Sequence, residues 1–332
     1  MRTLFRVAGG VFGLAATAYF LIFVHRIVTR YDLELLSAGP LAGAVAIAAL
    51  SYALIVPTTG WAWCRLLRDA GVEVPILRLN MIIGTTQIAK YLPGNFGQHL
   101  GRSAMAIRYG IGPGPLLVTL AIEMILAIGA AASVGLLGLL MSPHGMPEVP
   151  KPRWEVLSLA ALCLSLVVVA VPLVIWKLPW LIHRLSPRTT AVEGALVPRP
   201  PALVAAFAAY VLNYLLIGAA LYCIALAVSG GAVSAASLPI FIGTFAASWL
   251  TGFVVPGAPA GLGVREGVMV ALLTPTLDSA IALSVIVAFR VATTCGDVVG
   301  LLWGAFLGIA EAKKRRNYLA RPDMRPDDHC ED

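Results

Sequence analysis

Apolar residues fill this chain in long unbroken blocks, and neither the stripe of a surface helix nor the alternation of a half-buried strand is present. Six blocks approach the roughly 20 residues that a helix needs to cross a hydrocarbon core of about 30 Å. They lie at about 7–28, 38–57, 114–141, 154–176, 202–228 and 279–309. Two further apolar stretches, about 76–92 and 238–255, are shorter or interrupted. Each ends at a proline–glycine step, Pro93-Gly94 and Pro256-Gly257, followed by a glycine-containing segment. The pattern predicts an all-α polytopic membrane protein: about six full transmembrane helices plus two broken or re-entrant hairpins. The first block follows Arg2 and Arg6 as a signal peptide would. It is too long for a typical h-region and lacks a small-residue cleavage site, so it reads as a retained helix.

Composition supports this reading. Hydrophobic residues make up 59% of the 332 positions and charged residues only 12%, and the mean hydropathy of +0.87 lies outside the range of soluble domains. The formal charge of +7 then reports orientation and not nucleic-acid binding. Seventeen Lys and Arg side chains fall on one set of connections and flanks and four on the other. The richer set includes both termini, which are therefore expected on the cytoplasmic side. With that orientation the hairpin from about 75 to 112 is entered from the inside and the one from about 238 to 276 from the outside. Residues 1–310 then read as a single transmembrane domain of two inverted repeats, about 1–141 and 154–310, a common transporter plan. Residues 311–332 form a tail that begins basic and ends acidic. Whether each hairpin is re-entrant or made of two thin, tilted spans stays open, since both fit the parity.

The two breaks share chemistry. Arg102 and Arg265 each lie nine residues after the proline, Gly101 falls within one position of Gly263 when the prolines are aligned, and Gly97 and Gly261 add to the breaks in their own segments. Proline lacks the N–H that continues a helix and glycine admits positive φ, so each hairpin should open its backbone there. Such a break is tolerated only against protein or a watery cavity. A helix restarting after it would aim N–H groups at an anion, and an arginine fork suits a phosphate. Arg102, Arg265 and Arg290 are therefore candidate lipid-phosphate ligands. Glu123, Glu266 and Asp297 also sit in apolar surroundings, where a charge needs a partner or a water path. They are candidate counter-ions in the same cavity, with Glu123 expected either to pair with Arg290 across the repeats or to leave Arg290 to Asp297. Lys90, His99, Tyr210, Asn213 and Tyr214 are candidate polar lining, the last three equally readable as interhelical packing.

The five cysteines and five histidines show no metal-ligand spacing, and no nucleotide-binding or hydrolase motif occurs. No cofactor, metal or enzymatic activity is expected. The leading functional classes are a transporter of a phosphate-bearing lipid and a non-transporting scaffold or accessory subunit of a lipid or envelope-glycan pathway; a membrane enzyme acting on a lipid phosphate is the third, weakened by the lack of a nucleophile–base pair or metal cluster near the breaks. The expected partners are anionic or phosphate-bearing membrane lipids and enzymes of the same pathway, and no nucleic acid.

"AKYLPGNFGQHLGR", followed by a helix with Glu123, and "VPGAPAGLGVREGVMVALL", followed by "AFRVATT", resemble the two signature regions of the lysylphosphatidylglycerol synthase transmembrane-region family. The resemblance covers essentially the whole chain. It implies a lipid-translocating fold in a bacterial cytoplasmic (inner) membrane, acting on aminoacyl-phospholipids, polyprenyl-phosphate-linked glycans or related lipids. It carries over to Pro93, Gly94, Gly97, Arg102, Pro256, Gly257, Gly261, Gly263, Arg265, Glu266 and Arg290. The aminoacyltransferase domain of full-length synthases is not expected, because the chain ends soon after Lys313 to Arg316.

Overall fold

The computed structural model describes residues 39–91, 97–141, 177, 197–254, 261 and 263–319, with side chains to 314. The apolar blocks at about 7–28 and 154–176, both proline–glycine steps (Pro93, Gly94, Pro256, Gly257) and the tail beyond 319 lie outside the described residues. Every element among the described residues is helical, and five continuous segments are long and apolar enough to cross a membrane. The protein is an all-α, multi-pass membrane protein.

The helices are α1 (Gly39–Ala53), α2 (Ile55–Asp69), α3 (Ile76–Thr86), α4 (Gly97–Arg108) and α5 (Pro113–Leu140). They continue with α6 (Pro200–Val228), α7 (Leu238–Val254), α8 (Val264–Leu273) and α9 (Ser279–Leu319). A 3-10 turn, Gln87–Tyr91, extends α3. α1 and α2 form one segment interrupted at Leu54. Pro57 has no N–H to offer the Ala53 carbonyl, and the next carbonyl, that of Leu54, accepts both the Thr58 N–H at 3.1 Å and the Thr58 hydroxyl at 2.7 Å. α5 and α6 both start on proline after an extended residue, where the missing N–H costs nothing. α4 stops at Gly110, φ +85°, where the Ile111 N–H closes back on the Ala106 carbonyl.

The stretch at 238–255 is longer than its sequence suggests. With the 3-10 turn before it, the segment Ala235–Val254 has the length and apolarity to cross. Gly243 and Gly252 do not break this helix, because each has a neighbouring element lying against it in place of a side chain. The returning arms are short: α4 and α8, at 12 and 10 residues, reach only about 18 and 15 Å, roughly half the hydrocarbon core.

Contacts fix the direction of each helix. The Arg199 N–H at the start of α6 donates to Asp69 at the end of α2, 3.0 Å away, so α6 runs back along α1–α2. Arg78 near the start of α3 stacks over Tyr109 just past the end of α4. It also pairs with Glu311 late in α9, at 2.6 Å. The first hairpin thus starts and finishes at the Asp69 end of the molecule. α7 begins where α6 finishes, after a short connection. It runs antiparallel to α5, with Gly243 against Gly138 and Ala247 against Gly135. The second hairpin therefore starts at the opposite end, and α9 returns from it toward Arg78.

Packing between the halves is reciprocal. α7 of the second hairpin lies on α5, where a Cβ at Gly138 would stand 2.6 Å from the Gly243 nitrogen. α3 of the first hairpin lies on α9, where a Cβ at Gly84 would stand 2.6 Å from the Gly300 carbonyl oxygen. Only backbones without side chains approach this closely.

Candidate functional site

A cavity of about 150 Å³ lies between the described arms of both hairpins and the spans. All helices but α9 contribute to its wall, and a smaller cavity beside it shares Tyr52, Phe245 and Arg265 and reaches α9. Arg102, Glu123, Arg265, Lys90, His99, Tyr210, Asn213 and Tyr214 all line the larger space, and Glu266 and Arg290 line the smaller. Of the glycines, Gly97 opens α4 and Gly101 directly precedes Arg102, while Gly261 and Gly263 stand before α8 at φ +71° and +81°.

The charges pair locally. Arg102, on the second turn of α4, grips Glu123 of α5 with both nitrogens of its fork, at 2.6 and 2.7 Å. Both residues are buried, and the guanidinium lies 4.0 Å over the Trp63 ring. Trp63 is held in turn by Nε1–H donation to Thr119 at 3.1 Å. Lys90 pairs with Asp297 of α9 at 2.6 Å and donates to the Tyr52 hydroxyl at 3.0 Å. The Tyr91 hydroxyl donates to the other Asp297 oxygen at 2.6 Å. Arg290 pairs with Glu266, whose second oxygen accepts the Gly263 N–H at 2.7 Å and so caps α8.

Both expected partners of Arg290 are therefore corrected. Glu123 of the span α5 is taken by Arg102 on the returning arm of the preceding hairpin, and Asp297 by Lys90 and Tyr91. The N-terminus of α8 carries Glu266 against Arg290, so this pair joins the second hairpin to α9 just as Lys90–Asp297 joins the first.

Arg265 is treated differently. Among the described residues no carboxylate stands within ion-pair distance of it, and its Nε is buried without a hydrogen-bond partner. His99 Nδ1 is likewise buried and unpartnered among the described residues, and the Tyr210 hydroxyl, which makes no hydrogen bond of good geometry, faces the Glu123 carboxylate. Asn213 and Tyr214 serve packing: the Thr58 hydroxyl donates to Asn213 Oδ1 at 2.7 Å, and the Tyr214 hydroxyl donates to the Ala127 carbonyl at 3.2 Å. Sequence reasoning missed Tyr52, Tyr91, Trp63, Trp249 and Phe253. In an apolar run an aromatic residue signals burial alone, and nothing local marks it as a cavity wall, as Tyr52, Trp249 and Phe253 are, or as a support for a charged residue, as Trp63 and Tyr91 are.

A family model for the lysylphosphatidylglycerol synthase TM region matches residues 7–303. The chain belongs to this family. Comparison with curated proteins gives no match. Membership in the lysylphosphatidylglycerol synthase TM region family spans both hairpins and every charged pair of the cavity, from Lys90 to Asp297. Of the residues that carry the resemblance, Arg102 and Arg265 line the larger cavity, and Arg265, Glu266 and Arg290 the smaller.

Proposed function

We propose that this protein moves a phosphate-bearing lipid between the leaflets of a bacterial cytoplasmic membrane. The observation that carries the reading is Arg265, a guanidinium in a cavity wall with no carboxylate opposite it among the described residues. A cation at membrane depth needs an anion, and a lipid phosphate supplies one when the headgroup enters. The acyl or isoprenoid chains stay in the bilayer. Arg102 has a supporting role: by holding Glu123 in a two-point grip it keeps that carboxylate off Arg265. The two halves act as inverted repeats, supported by the hairpins entering from opposite ends and by the reciprocal glycine crossings. Rocking of one half on the other presents the site to each leaflet in turn.

The test is lipid movement in reconstituted vesicles, using chain-labelled phosphatidylglycerol. Arg265→Ala is expected to lower the rate about tenfold or more, the scale of one lost charge-assisted contact, with Arg265→Lys in between. A wild-type rate in Arg265→Ala would remove the site from the mechanism.

A further inference from the structure

The same cavity narrows the class of headgroup. Among the described residues its walls and braces bring together four cations, Lys90, Arg102, Arg265 and Arg290, and three carboxylates, Glu123, Glu266 and Asp297. Each carboxylate is bound to one cation, so the surplus is a single positive charge, at Arg265. The segments between the described parts of the hairpins, 92–96, 255–260 and 262, contain no ionisable side chain.

Among the described residues nothing in this arrangement receives a cationic headgroup. Such a group would have to take Glu123 from a two-point grip at 2.6 and 2.7 Å, or Asp297 from Lys90 and Tyr91. Aromatic faces, the usual alternative for a cation, are partly spent on the protein's own charges. Arg102 covers Trp63, Lys90 sits 5.0 and 5.4 Å from the centroids of Tyr52 and Tyr91, and Trp249 and Phe253 stack on each other. Of the buried polar atoms left without a full hydrogen bond at the two cavities, Arg102 Nε, Arg265 Nε and Arg290 Nη2 are cationic, and the uncharged ones are His99 Nδ1 and the Tyr210 hydroxyl, which faces Glu123. Both suit a hydroxyl-bearing headgroup, which donates and accepts at once.

We infer that the lipid accepted here carries one negative charge, on its phosphate, with an otherwise uncharged, hydroxyl-bearing headgroup, and that a headgroup made cationic by aminoacylation is rejected. This rests on the transport reading and specifies the substrate of the same site.

The experiment offers the purified full chain an equimolar micellar mixture of phosphatidylglycerol, its lysyl ester, phosphatidylethanolamine and phosphatidic acid. Retained lipid is then counted by mass spectrometry. Phosphatidylglycerol is expected to be enriched about tenfold or more over the lysyl ester, as a like charge beside Arg265 demands, and Arg265→Ala is expected to abolish that preference. Glu123→Gln supplies a gain-of-function arm. It frees Arg102 as a second cation and should raise phosphatidic acid, with its more highly charged phosphate, several-fold relative to phosphatidylglycerol. Lysyl ester retained as well as phosphatidylglycerol, with both lost in Arg265→Ala, overturns the headgroup assignment and leaves the phosphate site standing. A preference untouched by Arg265→Ala places selection elsewhere and overturns it too. Wild-type protein that enriches none of the four lipids defeats the transport reading itself.

Discussion

Arg265 reaches the cavity through a slot between two glycines. A Cβ at Gly252 on α7 would lie 2.5 Å from its Cγ and 2.7 Å from its Nε, and one at Gly261 would lie 2.6 Å from the same Nε. The slot holds the arginine stem, so the guanidinium is aimed by absence of side chain rather than by a carboxylate. Gly252→Ala is therefore expected to act as a lesion in Arg265: lipid movement should fall about as far as in Arg265→Ala, on the order of tenfold, with the thermal midpoint in detergent nearly unchanged. Normal transport in Gly252→Ala would show that the slot does not aim the side chain. The arginine itself was legible from its spacing to Pro256, because an arginine after a helix break in an apolar chain has few bland uses. Gly252 was not, since a glycine inside "WLTGFV" looks the same whether it faces lipid, a helix or an arginine. The pairings were hidden for a related reason. A lone carboxylate in an apolar helix declares that it needs a partner without saying which, and Lys90 stands 207 positions from Asp297.

The helices themselves were largely legible, and where the reading failed a tertiary contact had overridden a local signal. α7 keeps going through Gly243 because the backbone of α5 occupies the space a side chain would fill: a Cβ there would meet the Leu139 nitrogen at 2.6 Å and the Gly138 carbonyl carbon at 2.9 Å. Composition alone reads such a glycine as a weakness in the helix, yet here it is what lets the two elements touch. Gly267 on α8 is the contrasting case, helical and exposed with nothing within 4 Å of a built Cβ. Gly243→Ala should force α5 and α7 apart and destabilise the protein by about 1–3 kcal/mol, the usual cost of overpacking. Gly267→Ala should stabilise it by about 0.5–1 kcal/mol through helix propensity alone. Thermal unfolding of the two variants side by side is the check. Equal midpoints would mean that the crossing is looser than the distances imply. Leu54 shows the opposite limit: Pro57 withholds the N–H that the Ala53 carbonyl would accept, yet the interruption is one residue and the segment continues to Asp69, with both the Thr58 N–H and its hydroxyl bonded to the Leu54 carbonyl.

At the scale of the whole molecule, the direction of the hairpins turns the charge asymmetry into a test of topology. Asp69 and Arg199 meet at one end, and α6, with 29 residues, carries the chain about 43 Å away before it turns. Glu73, a few residues past α2, and Ala232, just past α6, are both exposed and so lie at opposite ends of the bundle. The basic residues Arg65, Arg68, Arg78 and Arg108 cluster with the first end, while the connection at 229–237 has no charge at all. Positive connections stay in the cytoplasm, which predicts Glu73 inside and Ala232 outside. In a chain whose cysteines are replaced, Glu73→Cys and Ala232→Cys give the readout. A membrane-impermeant thiol reagent applied to intact cells should label the Ala232→Cys variant and reach the Glu73→Cys variant only after permeabilisation. The reverse pattern would invert the orientation and leave the fold intact. Labelling of both from one side would contradict the hairpins' opposed entry, and with it the inverted repeat on which alternating exposure of Arg265 depends.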